Sequence, residues 1–194
     1  MARPTRNDRE AVLAAAADLA DTTDPGALTL AALAEQLGVR TPSLYHYIAG
    51  LAGLHRDLAL HSTRALTAVL AGAAVGRAGD EAVLAMANAY RAYIKAHPGV
   101  YAAAVTPAAP EDTELAAAQA ELVSLVARGL AGYRLAGDDA IHAVRALRAL
   151  VHGFATLEAA GGFGLPLDLD ESFARLIEAY LAGLHALRGV NRSG

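Results

Sequence analysis

Residues 29–47 read TLAALAEQLGVRTPSLYHY, and this stretch decides the fold. Thr29 precedes an apolar-periodic segment that ends at Leu37, and its hydroxyl can satisfy a free amide at a helix N-terminus. Gly38 follows directly, and glycine tolerates the positive φ that a sharp turn requires. A second short helix is predicted over residues 41–47. The stretch therefore predicts a helix–turn–helix.

The second helix of this motif is predicted to begin with a Thr41 cap and with Pro42 at its first position, where no amide donor is lost. Leu44 and Tyr47 lie three residues apart and are expected to pack against the first helix. A surface helix this short is marginal unless its outward side chains are used. Those side chains have donors of suitable length for phosphates and base edges: Arg40, Thr41, Ser43, Tyr45 and His46. A helical hairpin without a DNA role is the alternative.

The rest of the chain also predicts helices. It has 194 residues, is 55% hydrophobic and only 5% aromatic, and its abundant Ala and Leu favour helices over strands. Apolar residues recur every three or four positions between breaks rich in Gly and Pro, and no run alternates with period two. We expect an all-α protein of about nine helices, with residues 1–50 forming a helix–turn–helix domain, a connecting helix over 51–72, and a larger helical domain over 51–194.

Several classes of function are excluded or disfavoured. The chain has no Cys, which excludes disulfides, thiolate zinc sites and Cys nucleophiles. It shows no phosphate loop and no GxSxG or HExxH motif, and His55 and His61 are spaced wrongly for a metal on one helix face. No apolar run is long enough to span a membrane, and no secretory signal is visible. We therefore expect a cytoplasmic protein that is not an enzyme and needs no cofactor or metal.

The sequence resembles the TetR (tetracycline-repressor) family of transcriptional regulators. The resemblance rests on residues 7–60, above all on the glycine turn, on LYHYI at 44–48 and on LAGL at 51–54. HGF at 152–154, GFG at 162–164 and ESF at 171–173 also resemble a C-terminal domain of one subgroup of the family, the WHG-like domain. The resemblance implies a DNA-binding head, a ligand-binding and dimerisation domain, and no catalytic residues.

The resemblance also implies roles for single residues. Tyr45 would hydrogen-bond a DNA phosphate, whereas Arg40, Pro42 and Ser43 would approach bases. Thr29 would offer its hydroxyl and nearby amides to the DNA backbone. Many members of the family carry a Lys where this chain has Leu51, so that the backbone amides around Leu51 would have to contact a phosphate there.

The charge of the N-terminal region is unusual for a DNA-binding domain, which is normally basic. Residues 1–64 hold six Arg and seven acidic residues, for a net charge of −1. Arg3, Arg6 and Arg9 could form an arm that reaches a groove, and most of the acidic residues lie on the first helix or in the turn after it. We expect modest non-specific binding and reliance on a dimer.

A single reading helix touches too few bases for specificity, so two copies must be coupled. The last two long helices have wide apolar stripes, and the Gly-rich turn at 161–166 would place them antiparallel. Paired across a two-fold axis they would give a four-helix bundle and a homodimer. The alternative is that both stripes only close the core of one chain.

A small-molecule effector would require an apolar cavity with a few polar groups. The large or polar-tipped residues of the middle helices are the candidates for its walls: Met86, Tyr90, Tyr93, His97, Tyr101, Tyr133 and His152. The alternative is that they are core residues.

The sequence thus predicts a ligand-responsive regulator that binds double-stranded DNA as a homodimer, most simply a repressor released from an inverted-repeat operator. Two alternatives remain: a helical dimer that binds a small molecule without DNA, and an α-helical scaffold for a partner protein.

Overall fold

In the computed structural model, which describes residues 9–23, 27–135 and 137–190, every regular element is helical. The all-α prediction is confirmed for these residues. The helices are α1 (Arg9–Thr22), α2 (Leu30–Leu37), α3 (Thr41–Leu44), α4 (Gly50–Ala74), α5 (Gly79–Ala96), α6 (Pro98–Ala104), α7 (Thr113–Gly129), α8 (Asp138–Ala159) and α9 (Leu169–Val190), with a 3-10 turn at Ala131–Tyr133. The predicted arm residues Arg3 and Arg6, and the turn predicted at 24–26, lie outside the described residues.

The chain divides into two compact units. Unit 1 comprises Met1–Arg64 and His97–Ala118, and unit 2 comprises Ala65–Ala96 and Gln119–Gly194. This division differs from the predicted domains, because α6 and the start of α7 belong to the same compact unit as the helix–turn–helix. Helix α4 contributes its first turns to unit 1 and its remainder to unit 2.

The core of unit 1 joins α1, α2, α3 and the beginning of α4. Ala16, Leu33 and Leu54 are fully buried in one apolar cluster, together with Leu44 and Leu58. Burying an apolar side chain of this size contributes about 1.5–3 kcal/mol relative to exposure. The short helix α3 is therefore held in place by Leu44 rather than by its own hydrogen bonds.

The core of unit 2 is formed by α5, α8 and α9, and it contains a buried cation. Arg91 is only 6% exposed, yet its guanidinium is neutralised by Glu158 at 2.7 Å and by Asp170 at 2.8 Å. The same guanidinium lies over the rings of Phe154 and Phe173, at 5.2 and 4.8 Å from their centroids. A buried charge is tolerated when it is paired and hydrogen-bonded in this way.

The apolar stripes of α8 and α9 are largely used inside unit 2. Leu147 and Val151 of α8 and Phe173 and Ile177 of α9 are buried, as the alternative of a closed core predicted. Among the side chains of these helices that the structure describes, three large apolar ones remain exposed: Ile141, Leu157 and Leu187. Only these exposed parts of the two apolar stripes are accessible for contact with a second chain.

Two predicted helix ends are wrong. The second helix of the helix–turn–helix ends at Leu44 rather than Tyr47. Apolar spacing also predicts that the helix starting at Glu111 runs to about Tyr133, but it ends at Gly129. Leu130 N donates to both Val126 O and Ala127 O at 3.1 Å, and the chain then tightens into the 3-10 turn. Such bifurcated and 3-10 bonds are common at helix ends. No helix within the described ranges is long and apolar enough to cross a membrane.

Candidate functional site

The first half of the helix–turn–helix has the predicted local chemistry. Thr29 Oγ1 accepts a hydrogen bond from Ala32 N at 3.1 Å, which satisfies one free amide of α2. Gly38 adopts φ 64° and ψ 33°, and Val39 N donates to Ala34 O at 2.9 Å to close the helix. This left-handed ending is the turn that requires glycine. It fixes the direction in which the chain enters α3.

Helix α3 begins one residue earlier than predicted. Arg40, with φ −84° and ψ 141°, occupies the N-cap position without a capping side-chain bond, so Thr41 is the first helical residue rather than the cap. After Leu44 the chain continues as hydrogen-bonded turns, with Tyr47 N donating to Leu44 O at 2.8 Å. The backbone from 45 to 47 therefore remains ordered by hydrogen bonds although it is not regular α-helix.

The side chains predicted to contact DNA are all at least partly exposed. Tyr45 is 61% exposed and Leu51 is 39% exposed. Thr29, Arg40, Pro42 and His46 are exposed, and Thr41 and Ser43 are half-buried. The structure brings Arg40, Thr41, Pro42, Ser43, Tyr45 and His46 together on and around one four-residue helix, with Thr29 at the start of α2 and Leu51 at the start of α4.

Among the described arginines of unit 1, the ion pairs leave one available. Arg9 pairs with Asp57 at 2.7 Å, Arg56 with Asp112 at 2.7 Å, and Arg64 with Glu114 at 3.0 Å. Within the part of the chain that the structure describes, Arg40 makes no ion pair. Although the N-terminal region carries no net positive charge, the unpaired arginine of its described part lies where the reading helix begins.

The ion-pair cluster around Arg56 was not predicted. Arg56 donates from Nε and Nη2 to the two oxygens of Asp112 at 2.7 and 2.8 Å, and from Nη2 to Glu114 at 2.7 Å. The hydrogen bonds from Arg56 lower the pKa of Asp112 to about 2 and, with that carboxylate as the main cause, raise the pKa of Arg56. The only sequence signal was the acidic start of α7, which is typical of a helix N-terminus.

The residues predicted to bind a ligand divide between the units. Met86, Tyr90, Tyr93, Tyr133 and His152 belong to unit 2, whereas His97 and Tyr101 belong to unit 1. All are buried except His97, which is exposed, and His152, which is half-buried.

Several of these side chains already have partners. The Met86 side chain lies where a methyl group on Gly129 would stand. Burial, together with the hydrogen bond to Asp80, raises the pKa of Tyr133. His97 Nδ1 lies 2.9 Å from Asp21 Oδ2. Their role in ligand binding stays a prediction, and the buried members, Met86 and the four tyrosines, pack as core residues.

No group of three or more His, Asp or Glu side chains that could hold a metal ion occurs among the residues described in the three ranges above.

Comparisons with known proteins agree with this geometry. A family model described as "Tetracyclin repressor-like, C-terminal domain" matches residues 83–180. The HTH-type transcriptional regulator YobS of Bacillus subtilis (strain 168) is 37% identical over 174 residues, which cover 89% of this chain and 90% of YobS. The HTH-type transcriptional regulator Rv0681 of Mycobacterium tuberculosis H37Rv is 35% identical over 185 residues, or 95% of this chain and 84% of that protein.

A solved structure is similar over nearly the whole fold. It is a TetR variant from Acinetobacter baumannii AYE in complex with minocycline, with a TM-score of 0.71 and 20% identity, covering 94% of this chain and 98% of that one.

Proposed function

Because the chain belongs to the TetR family of HTH-type transcriptional regulators, we propose that it is a repressor that a small molecule releases from an inverted-repeat operator. The proposal that the chain binds DNA rests mainly on Arg40, the unpaired arginine at the start of the reading helix in the described part of the chain. Arg40 stands at the first turn of α3 without a carboxylate partner among the described residues, while Tyr45 beside it is 61% exposed. A guanidinium in this position can read guanine in the major groove.

The proposed contacts follow from what each side chain can donate. Arg40, Pro42 and Ser43 approach base edges, whereas Tyr45 donates its hydroxyl to a phosphate. Thr29 Oγ1 accepts from Ala32 N, which leaves its hydroxyl hydrogen to donate to the DNA backbone. The amides at the start of α4, where Leu51 lies, bind a second phosphate. Phosphate contacts fix the position of the head, and base contacts supply sequence preference.

A dimer is required because one short helix reads only part of a site. We propose that the outward face of α8 and α9 supplies the contact, with Ile141, Leu157 and Leu187 as its exposed apolar residues. A two-fold axis would bring the same residues of both chains together and would match the symmetry of an inverted repeat. This role uses the residues that the core of unit 2 leaves exposed.

The effector is proposed on family grounds and on energetic reasoning. A small molecule releases DNA only if it binds the DNA-incompetent arrangement more tightly. A tenfold loss of operator affinity needs about 1.4 kcal/mol of such differential binding. The A. baumannii TetR variant has been solved with minocycline, which supports ligand binding by this fold without identifying the ligand of this chain. The proposed function includes no catalytic step.

An electrophoretic shift on the DNA that flanks the coding region tests the proposal. We expect binding that weakens steeply with salt, because phosphate contacts release counterions, and that survives an excess of unrelated DNA. Arg128→Ala removes an exposed arginine of α7 outside the predicted surface and should leave the shift unchanged. Binding that unrelated DNA competes away equally well would favour a helical dimer that binds a small molecule without DNA.

A further inference from the structure

Unit 1 contains a cavity of about 710 Å³ beside the helix–turn–helix. Its walls are the end of α1, the first turns of α4, helix α6 and the segment that leads into α7. Sites for small molecules in proteins range from about 300 to 1,000 Å³, so that this volume suits a molecule of drug-like size. None of the residues that the sequence predicted for ligand binding lines it.

One wall is fixed by the contact between α1 and α6. Asp21 accepts hydrogen bonds from Val100 N at 2.8 Å, and its other oxygen lies 2.9 Å from His97 Nδ1. Gly99 brings the two backbones so close that a methyl group in its place would overlap the carbonyl group of Ala20. Both oxygens of Asp21 have partners, so this wall is preformed and offers no unsatisfied charge.

A second part of the wall also carries charges that are already paired. Arg56 binds both oxygens of Asp112 at 2.7 and 2.8 Å, and Asp112 Oδ1 accepts from Leu115 N at 3.1 Å. The hydrogen bonds from Arg56 keep the pKa of Asp112 at about 2, so the pair stays ionised at neutral pH. A charged ligand would have to break this pair, and a neutral ligand would not.

The remaining lining is mainly apolar, and its polar side chains are Thr23, Thr106 and His55. Leu58, Ala59, Ala103 and Pro107 contribute hydrocarbon surface. His55 also lines the cavity, and its ring has no hydrogen bond or ion pair with the described residues. An apolar cavity with one free imidazole favours an uncharged molecule that has a single hydrogen-bonding group.

Leu51 connects this cavity to the DNA-binding surface. It lines the cavity, it lies in the first turn of α4, and the amides of that turn are those proposed to hold a phosphate. A ligand in contact with Leu51 therefore touches the turn whose amides are proposed to meet DNA.

We propose that this cavity is the effector site, that it takes an uncharged, mainly apolar molecule with one hydrogen-bonding group, and that occupancy shifts the first turn of α4 out of register with DNA. The inference rests on the proposed function.

The first experiment measures binding of N-phenyl-1-naphthylamine, an uncharged apolar amine that fluoresces outside water. The full chain should bind one molecule per cavity. Ala102→Trp, at an exposed cavity residue of α6, and Ala103→Leu, deeper in the wall, should each raise the Kd roughly tenfold or more. Ala117→Trp, at an exposed residue of α7 that does not line the cavity, should leave the Kd unchanged. No binding by the wild-type chain, or equal binding by both cavity variants, would overturn the proposal.

The role of His55 is tested with a second probe. His55→Phe should weaken N-phenyl-1-naphthylamine roughly two- to tenfold, as expected for one lost hydrogen bond. It should not weaken 1-benzylnaphthalene, which has a similar size and no N–H group. Equal effects on the two probes would overturn the hydrogen-bonding role of His55.

The last arm separates this inference from the proposed function. Saturating N-phenyl-1-naphthylamine should weaken binding of the wild-type chain to its flanking DNA and should not affect Ala102→Trp. Probe binding in the cavity without any effect on a working DNA complex would overturn the effector role and leave the repressor proposal standing. Failure of the wild-type chain to bind DNA, with or without probe, would instead contradict the proposed function and the regulatory role with it.

Discussion

At the scale of single residues, Arg40 differs from the other described arginines of unit 1 because no carboxylate neutralises it. Arg9, Arg56 and Arg64 each have an acidic partner within 3.0 Å. Among these four arginines, Arg40 is therefore the one whose charge is not already satisfied by a carboxylate and is available to DNA. The affinity of the head should depend strongly on this one side chain.

Arg40→Ala and Tyr45→Phe should have different effects on DNA binding. Loss of a guanidinium that reads a guanine edge should cost about 1–3 kcal/mol at one base position and relax the preference there. Loss of the tyrosine hydroxyl should weaken all sequences to the same extent, because a phosphate contact carries no base information. Binding to a library of randomised operators measures both effects. Uniform weakening by Arg40→Ala would show that Arg40 touches only the backbone.

Structural features could be predicted from the sequence wherever the interacting residues lie within a few positions of each other. The cap at Thr29, the left-handed turn at Gly38 and the buried side chain of Leu44 follow from their immediate neighbours. The ion pairs of Arg56 with Asp112, and of Asp21 with His97, join residues 56 and 76 positions apart. No local pattern contains that information, because these residues meet only when α1 packs against α6 and α4 packs against the segment that leads into α7.

At the scale of helices, the contact between α1 and α6 depends on the absence of a side chain at Gly99. Gly99→Ala should separate the two helices and cost about 1–3 kcal/mol, as for overpacking, because the new methyl group meets backbone that cannot rotate away. Gly72→Ala is the matched control. Nothing lies within 4 Å of a methyl group there, so it should stabilise α4 by about 0.5–1 kcal/mol. Denaturant unfolding measures both, and equal stabilisation by the two changes would contradict the close contact.

The pairing of α5 with α8 should make stability depend on pH. The hydrogen bonds from Arg91 lower the pKa of Glu158 from 4.5 to about 2. A carboxyl group with a lowered folded-state pKa stabilises the fold above its unfolded pKa, and that stabilisation is lost as pH falls through the folded value. The free energy of unfolding should therefore decline from about pH 4.5 towards pH 2.

Glu158→Gln should remove a large part of this decline, while the lowered pKa of Asp112 causes some of it to remain. Glu171→Gln, at an exposed carboxylate paired with Arg175 on the same helix, should retain it, since exposed pairs contribute little. Urea titrations at several pH values would measure the difference. An unchanged decline in Glu158→Gln would show that other carboxylates cause it.

Helix ends were harder to predict than helix existence. The prediction carried the reading helix to Tyr47 and α7 to Tyr133, since apolar spacing continues through both ends. The backbone changes to 3-10 and turn geometry there, at Leu44 and at Gly129. Apolar spacing of three does not distinguish these forms, because a 3-10 turn also places every third residue on one face.

At the scale of the whole molecule, the sequence predicts a division of the chain just after the helix–turn–helix motif. The packing of the helices divides the chain differently. The motif predicted a head of residues 1–50, but α6 and the start of α7 also belong to the unit of the head. The cavity depends on these added segments, since half of its wall comes from residues 98–115. An effector that binds there would act on the DNA-binding unit directly.

The central claim is that two chains read one inverted repeat, and the stoichiometry of the DNA complex tests it most directly. Sedimentation equilibrium would count the chains on a duplex that carries the inverted repeat bound in the electrophoretic shift, and on the same duplex with one half-site scrambled. We predict two chains on the intact repeat, with half-site centres about one helical turn apart, and a large loss of affinity when either half is scrambled. One chain per duplex, with an affinity that scrambling does not change, would contradict the claim.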